Sequence, residues 1–252
     1  MIQPEARFSD RVADYVKYRP SYPAEAIDAI ARIAGLSPGA RVADVGAGTG
    51  ISARLFLERG FRVFGVEPNA AMRAAAEEYL AGFPEFTSVE GTAEATGLSD
   101  ASADLAIAAQ AFHWFRKDAA RAEMLRVVLP PHWVALIWNE RLTDTPFLRD
   151  YEAALGEHAI DYATVDHRNV DEAAIARFFG GPVQKLEFPN AQRFDREGFL
   201  GRALSSSYVP QRGHPKHEGM MNALDRIFAA HEKDGVVDFR YVTSVHIGKL
   251  VP

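Results

Sequence analysis

The feature that most constrains the fold of this chain is a glycine-rich segment between a predicted strand and a predicted helix. Residues 40–45 predict the strand, the sequence DVGAGTG occupies residues 44–50, and Thr49 is expected to cap a helix that continues to about residue 58. Glycine lets the backbone approach a ligand closely, and the first turn of a helix presents free N–H groups. The segment therefore predicts a binding site for a nucleoside-containing cofactor in an α/β protein.

Strands and helices alternate along the rest of the first half. The predicted helices cover 70–80 and 117–129, and the predicted strands cover 61–66, 85–89, 104–109 and 132–138. Alternation at this spacing indicates a doubly wound, parallel sheet with right-handed crossovers.

The second half has a different pattern. Helices are predicted over 146–180, 195–204 and 217–233, and a sixth strand over 183–188. Residues 237–247 alternate between apolar and polar side chains, with Thr243 as the exception, which predicts a long strand that can run antiparallel to the others. We expect one domain over 1–252: an N-terminal cap (1–39, with a helix at 24–34), a cofactor-binding half (40–139), and a lid with the C-terminal strands (140–252).

Composition excludes several classes of function. The net charge of −6 is the opposite of the basic excess expected of a general nucleic-acid binder. The absence of cysteine removes disulfides, zinc–thiolate sites, iron–sulfur clusters and cysteine nucleophiles. The first residues carry several charges that a signal peptide would lack, and the longest uncharged run, 127–139, is too short for a membrane span. We expect a cytoplasmic protein without membrane or nucleic-acid partners.

An acidic residue at the end of the second predicted strand narrows the choice of cofactor. Glu67 follows Gly50 by seventeen residues, and a carboxylate there can accept hydrogen bonds from both ribose hydroxyls. The dinucleotide fingerprint G-x-G-x-x-G lacks its third glycine, because Ile51 occupies that position. A nicotinamide-dependent oxidoreductase nevertheless stays open as an alternative, as does a non-catalytic cofactor-binding module.

Four segments of the first half resemble the class I S-adenosylmethionine-dependent methyltransferases: VADVGAGTG at 42–50, VFGVEPNAAM at 63–72, EGTAEATGL at 90–98 and DLAIAAQAFHWF at 104–115. Three further segments are similar to the small-molecule branch that includes the trans-aconitate methyltransferase relatives: FSDRVADYVKYRPSYP at 8–23, SSSYVP at 205–210 and YVTSVHIGK at 241–249. The resemblance implies a Rossmann-like, seven-stranded mixed sheet whose last strand is antiparallel and lies between the fifth and sixth. It also implies a helical lid formed by the N-terminus and residues 140–235.

The resemblance implies S-adenosylmethionine as the cofactor and S-adenosylhomocysteine as the product. Asp44 would lie near the ammonium of the methionine part, Arg19 would pair with its carboxylate, and Glu67 would hold the ribose. The full set of implied cofactor contacts is Arg19, Asp44, Gly46, Ala47, Gly48, Thr49, Gly50, Glu67, Pro68, Asn69, Met72, Ala93, Glu94, Gln110 and Ala111.

The methyl acceptor is expected to be a small molecule that reacts at oxygen, as a carboxylate or a hydroxyl. His113 is the candidate general base; alternatively it orients a loop or caps the helix that follows. Arg141 is a candidate partner of an anionic substrate, or a solvated surface arginine. The candidate substrate residues are Tyr15, Tyr22, His113, Trp114, Asn139, Arg141 and Tyr208. No metal site is expected, and both a monomer and a homodimer stay open.

Overall fold

A seven-stranded sheet organises the computed structural model, which describes residues 16–160, 162 and 171–251. The strand order is β3-β2-β1-β4-β5-β7-β6. The strands are β1 Arg41–Val45, β2 Arg62–Val66, β3 Phe86–Val89, β4 Ala103–Ala109, β5 Val128–Arg141, β6 Val183–Phe194 and β7 Val237–Lys249. Strands β1 to β5 pair in parallel, and β7 is antiparallel to both β5 and β6. The predicted mixed sheet and the position of its last strand are confirmed.

Helices cover both faces of the sheet. They are α1 Ala24–Ala34, α2 Ile51–Leu57, α3 Ala70–Tyr79, α4 Lys117–Val127, α5 Pro146–His158, α6 Glu172–Phe179, α7 Arg196–Leu204 and α8 His217–His231. Helices α1 and α2 share a buried apolar cluster with one face, whereas α4 and α6 share a cluster with the other. Alternate residues of each central strand supply these two clusters, as expected for strands that are buried on both sides.

Strands β5 and β7 continue beyond the carboxyl end of β4. The last paired residue of β4 is Ala109, opposite Ile137, and β5 then runs on to Arg141 against β7. Helices α5, α7 and α8 bury a third apolar cluster against this extension, which includes Phe147, Phe199 and Phe239. The extension thus places a second layer of helices beside the edge at which parallel strands end.

Three predicted boundaries are wrong. The described residues of 146–180 hold two separate helices, α5 and α6, and each has its own N-cap: Thr145 accepts a hydrogen bond from Leu148 N, and Asp171 accepts one from Ala174 N. Strand β5 begins at Val128 rather than residue 132, since a register shift against β4 accommodates the two prolines within the strand. Strand β6 runs to Phe194 because β7 pairs with it along its whole length.

The period-two pattern of β7 is confirmed for its apolar face, where Val237, Phe239 and Tyr241 are buried. Its polar face is exposed at Asp238 but buried at His246, because the ring of His246 packs against Trp138 in the cluster that α6 completes. None of the helices among the described residues combines the length and the apolar character needed to cross a bilayer.

Candidate functional site

The glycine segment forms a tight loop between β1 and α2. Gly46 has φ +76°, and a Cβ atom there would lie 2.6 Å from Cβ of Ala111. Gly50 has φ +83° and is itself the N-cap of α2, so the prediction that Thr49 caps this helix is wrong. The left-handed turn at Gly50 delays the start of the helix by one residue and buries Thr49, whose hydroxyl has no hydrogen-bond partner among the described residues.

Glu67 bridges the glycine loop and the segment that follows β2. Its Oε2 atom accepts a hydrogen bond of 3.0 Å from the backbone N–H of Gly48, and its Oε1 atom accepts one of 3.0 Å from Asn69. The Asn69 side chain in turn caps α3 by accepting from the N–H of Met72 at 3.0 Å. The carboxylate therefore has a fixed position at the ends of two adjacent strands.

Asp44 lies behind the loop. Its side chain is fully buried, and Ser52 Oγ donates to its Oδ2 atom at 2.6 Å. The Oδ1 atom has no hydrogen-bond partner among the described residues. Burial, together with the charge of Glu67, raises the pKa of Asp44 to about 7, against the opposing hydrogen bonds from Ser52 and the backbone of Ala53. A neighbouring cation would favour the ionised form of Asp44 and offset the cost of burying its charge.

An open cleft of about 1160 Å³, which includes its mouth, lies at the carboxyl edge of β1, β2 and β4. Parallel α/β sheets bind ligands at this edge. Most of the residues predicted to contact the cofactor line it: Arg19, Gly46, Ala47, Gly48, Thr49, Glu67, Pro68, Asn69, Met72, Ala93, Glu94, Gln110 and Ala111. Asp44 and Gly50 are outside this lining; Asp44 lies one hydrogen bond away through Ser52, which does line the cleft.

The segment after β4 forms a second wall of the cleft. Gln110 has φ +57°, a conformation that non-glycine residues seldom adopt, and its N–H donates to the carbonyl of Ile137 at 2.8 Å. The 3₁₀ turn Phe112–Trp114 follows. Trp114 and Phe115 line the cleft, whereas His113 is outside the lining and its ring lies 4.7 Å from that of Trp114.

Asn139 attaches the N-terminal segment to the sheet. Its side-chain amide donates to the carbonyl of Ser21 at 3.2 Å, and its Oδ1 atom accepts hydrogen bonds from Thr243 at 2.5 Å and from Asn190 at 3.0 Å. Tyr22 follows Ser21 and lines the cleft. Asn139, predicted as a substrate residue, is thus buried at 5% exposure and holds a wall of the cleft in place.

Glu94 lies in a turn closed by the backbone of Thr92 and Ala95. Its carboxylate accepts a hydrogen bond of 2.7 Å from the N–H of Arg116, the residue that precedes α4. One carboxylate oxygen of this predicted cofactor contact is therefore engaged with the start of a helix.

Two further predicted substrate residues, Arg141 and Tyr208, are outside the lining of the cleft. Arg141 forms an ion pair with Glu152 and also donates to the hydroxyl of Tyr162 at 2.9 Å. The ring of Tyr208 lies 4.8 Å from that of Tyr162. Arg141 is 10% exposed, which excludes the alternative of a solvated surface arginine. Tyr15, a further predicted substrate residue, is outside the described residues.

Several lining residues are absent from the predicted set, among them Pro20, Ile51, Ser52 and Ala109. Ser52 carried a usable signal, since it is a polar residue among the buried positions of α2. Pro20 carried none, because its place in the cleft depends on the long-range contact between Asn139 and Ser21.

Comparisons with known proteins show similarity to methyltransferases. Residues 43–135 match the family described as "Methyltransferase domain". This segment of the chain is thus similar to a methyltransferase domain. The chain is 36% identical over 149 residues to an uncharacterized methyltransferase of Mycobacterium tuberculosis, a match that covers 59% of this chain and 58% of that relative. An uncharacterized methyltransferase of Schizosaccharomyces pombe is 26% identical across 97% of both chains.

Solved structures show the same fold. A protein described as a type II methyltransferase from Anaeromyxobacter dehalogenans superposes with a TM-score of 0.70 at 24% identity, over 93% of this chain and 99% of that one. Phosphoethanolamine N-methyltransferase 2 of Haemonchus contortus, in complex with S-adenosyl-L-methionine, gives a TM-score of 0.58 at 14% identity, over 96% of this chain and 57% of that one. This chain thus has the fold of these proteins.

Proposed function

We propose that this protein transfers a methyl group from S-adenosylmethionine to an oxygen atom of a small molecule. The observation that carries the proposal is the position of Glu67, which lines the cleft beside the glycine loop and is fixed there by the N–H groups of Gly48 and Asn69. The family match over 43–135 supports methyl transfer as the chemistry. A nicotinamide-dependent oxidoreductase is less consistent with this match.

The residues of the cleft fit the proposed cofactor. Asp44 Oδ1 is a buried acceptor without a partner among the described residues, behind the loop that would run beneath the methionine part. Gly48 has no atom within 4 Å of the place where a Cβ would stand, so the loop leaves room for a ligand. Glu67 supplies acceptors for ribose hydroxyls, and Met72 an apolar contact for adenine. When bound, the cofactor supplies a methyl group activated by a sulfonium.

The protein's contribution to the reaction is positioning and exclusion of water. The residues of this chain would hold the acceptor oxygen against the activated methyl group. The charges of an anionic acceptor and of the sulfonium would cancel during the transfer, so walls that exclude water favour it. Tyr22, Trp114 and Phe115 provide such walls.

An ionised carboxylate acceptor needs no general base, whereas a hydroxyl acceptor has a proton to lose. We infer that His113 acts through its neighbours, because Trp114 and Phe115 line the cleft and His113 does not. We further propose a cytoplasmic location, on the absence of cysteine.

The test is calorimetric titration of the purified protein with S-adenosylmethionine, S-adenosylhomocysteine and NAD. We expect micromolar affinity for the first two and no binding of NAD. Glu67→Ala should weaken S-adenosylhomocysteine about 100-fold, because it removes charge-assisted hydrogen bonds to the ribose, each worth roughly 1.5–3 kcal/mol.

Glu77→Ala is the matched control, since Glu77 is an exposed carboxylate on helix α3. It should leave the affinity unchanged. Binding of NAD alone would overturn the proposal. If the protein binds S-adenosylmethionine but methylates no small acid, phenol or alcohol, the non-catalytic binding module would be favoured.

A further inference from the structure

Two arginines and three tyrosines, of which Tyr208 is half-buried, form a group where the extension of the sheet meets α5 and α7. We call it the arginine–tyrosine cluster: Arg141, Arg202, Tyr151, Tyr208 and Tyr241. The guanidinium carbon of Arg141 lies 4.7 Å from the centre of the Tyr151 ring. Arg202 Nε donates to the hydroxyl of Tyr241 at 3.1 Å. These residues come from β5, α5, α7, β7 and the turn after α7, so the cluster exists only in the folded chain.

The positive charges of the cluster converge on Tyr208. Burial by itself raises the pKa of the Tyr208 hydroxyl, but the charges of Arg141, Arg202 and Arg19 outweigh it, and the pKa lies below its ordinary value. The hydroxyl thus occupies a region of positive potential to which three guanidinium groups contribute.

The cluster holds more positive than negative charge. Arg141 is paired with Glu152. Arg202 is only 4% exposed, and it donates to neutral oxygens, the hydroxyl of Tyr241 and Ser206 Oγ at 3.1 Å. No carboxylate of the described ranges lies within ion-pair distance of it. A buried charge without a counterion is costly, so proteins seldom keep one unless it binds something.

Two polar atoms of the cluster lack partners. Arg141 Nε and the Tyr151 hydroxyl are buried, and neither has a hydrogen-bond partner in the part of the chain that the structure describes. The Arg141 side chain is nine-tenths buried and that of Tyr151 is fully buried. Both are donors, and an oxyanion would satisfy them together with the charge of Arg202.

Arg19 connects the cluster to the cleft. It lines the cleft, and its Nη2 atom donates to the carbonyl of Ser205 at 2.9 Å. Ser205 donates through its hydroxyl to the carbonyl of Arg202 and precedes Ser206, which accepts from the Arg202 guanidinium. The side chain of Arg19 therefore lies between the arginine–tyrosine cluster and the candidate cofactor site.

We propose that the arginine–tyrosine cluster binds an oxyanionic group of the methyl acceptor and so restricts the acceptors to small organic anions. A carboxylate and a phosphate share the chemistry that this cluster recognises: planar or tetrahedral oxygens that accept from Arg202, from Arg141 and from the tyrosine hydroxyls. That the bound anion is the methyl acceptor rests on the proposed methyl transfer, but binding of the anion can be tested without it.

The experiment is calorimetric titration with acetate, succinate, citrate, benzoate and glycerol 3-phosphate, each with and without saturating S-adenosylhomocysteine. Acetamide, succinamide and glycerol are the neutral counterparts. We expect at least one anion to bind and its neutral counterpart to fail. Tighter binding of the carboxylates would assign the site to a carboxylate, and tighter binding of glycerol 3-phosphate to a phosphate.

Arg202→Met tests the cluster itself. Methionine has a similar length and no charge, so we expect the anion to weaken between about 10-fold and 100-fold while S-adenosylhomocysteine binds as before. Without anion, the variant should melt at the same temperature as the parent or higher, because an unpaired buried charge has been removed. A residue with a purely structural role would give a lower melting temperature and unchanged anion binding.

Arg193→Met is the matched control, because Arg193 is 69% exposed, lies on neighbouring β6 and pairs with Asp238. It should leave anion binding unchanged. Equal weakening by both variants would overturn the proposal and favour diffuse electrostatic attraction. The proposal would also be overturned if no anion bound to protein that binds S-adenosylhomocysteine. If anions bind but S-adenosylhomocysteine does not, the proposed function fails while the anion site stands.

Discussion

The two halves of the sheet build their polar sites in different ways. At the edge of β1 and β2, the contacts join residues close in sequence: Glu67 with Gly48, and Asn69 with Met72. In the extension of β5 and β7, residues far apart in sequence meet, as Arg202 and Tyr241 do. Backbone conformation controls the first site and side-chain packing the second.

The difference explains which site a local pattern can reveal. A strand that ends in a glycine loop fixes the path of the backbone over a few residues, so the site leaves a short motif. A buried arginine needs partners from several elements, and each partner by itself is an ordinary tyrosine or serine. The first site is therefore visible as a motif, whereas the second becomes visible only through burial and charge.

The largest effect that would test this comparison is expected from Gly46→Ala. The new Cβ would lie 2.6 Å from Ala111 Cβ, and alanine is strained at φ +76°. Overpacking and backbone strain together should lower the free energy of unfolding by about 2–4 kcal/mol, measured by urea denaturation.

Gly48→Ala separates these two causes. Gly48 also has a positive φ, +56°, but no atom lies within 4 Å of its Cβ position. We expect a loss of about 1 kcal/mol in stability together with a clear loss of affinity for S-adenosylhomocysteine. Equal losses of stability in the two variants would show that the contact with Ala111 is unimportant.

An effect smaller than that of Gly46→Ala is expected at the junction of the two halves. Asn139→Ala removes the amide that joins Ser21 to Thr243 and Asn190. Unsatisfied buried groups would remain, so stability should fall by about 2 kcal/mol. Affinity for S-adenosylhomocysteine should fall as well, because Arg19 and Tyr22 would lose their support. Asn190→Ala is the comparison variant. If the affinity of Asn139→Ala for S-adenosylhomocysteine were unaltered, the N-terminal segment would be held by other contacts.

The smallest effect concerns pH. Because the pKa of Asp44 is raised to about 7, the free protein favours the neutral carboxyl, and stability from this group declines as the pH rises from about 4 through 7. The cofactor's ammonium would favour the carboxylate, so binding should release a proton. Affinity for S-adenosylmethionine should rise about tenfold between pH 6 and pH 8.

Calorimetry in two buffers of different ionisation enthalpy measures that proton. Asp44→Asn, which keeps one acceptor oxygen for Ser52, should abolish both the release and the pH dependence. Proton release that persists in Asp44→Asn would assign the titration to another group.

Much of the fold could be predicted from periodicity and spacing. The order of elements in the first half, the mixed sheet and the buried face of β7 are confirmed. The errors fall where a long-range contact decides a boundary. Strand β6 continues past residue 188 because β7 offers it partners as far as Val237, and no local pattern encodes the length of a neighbour.

By itself, the sequence determined the cofactor edge, since glycines with positive φ, a carboxylate at a strand end and a capping asparagine act over short stretches of backbone. Tertiary structure alone decided that Asn139 supports the N-terminal wall, that Asp44 lies behind Ser52, and that Arg141 is buried near Arg202. These depend on which side chains meet across the sheet extension, and burial without a counterion is a property of the assembled fold rather than of any segment.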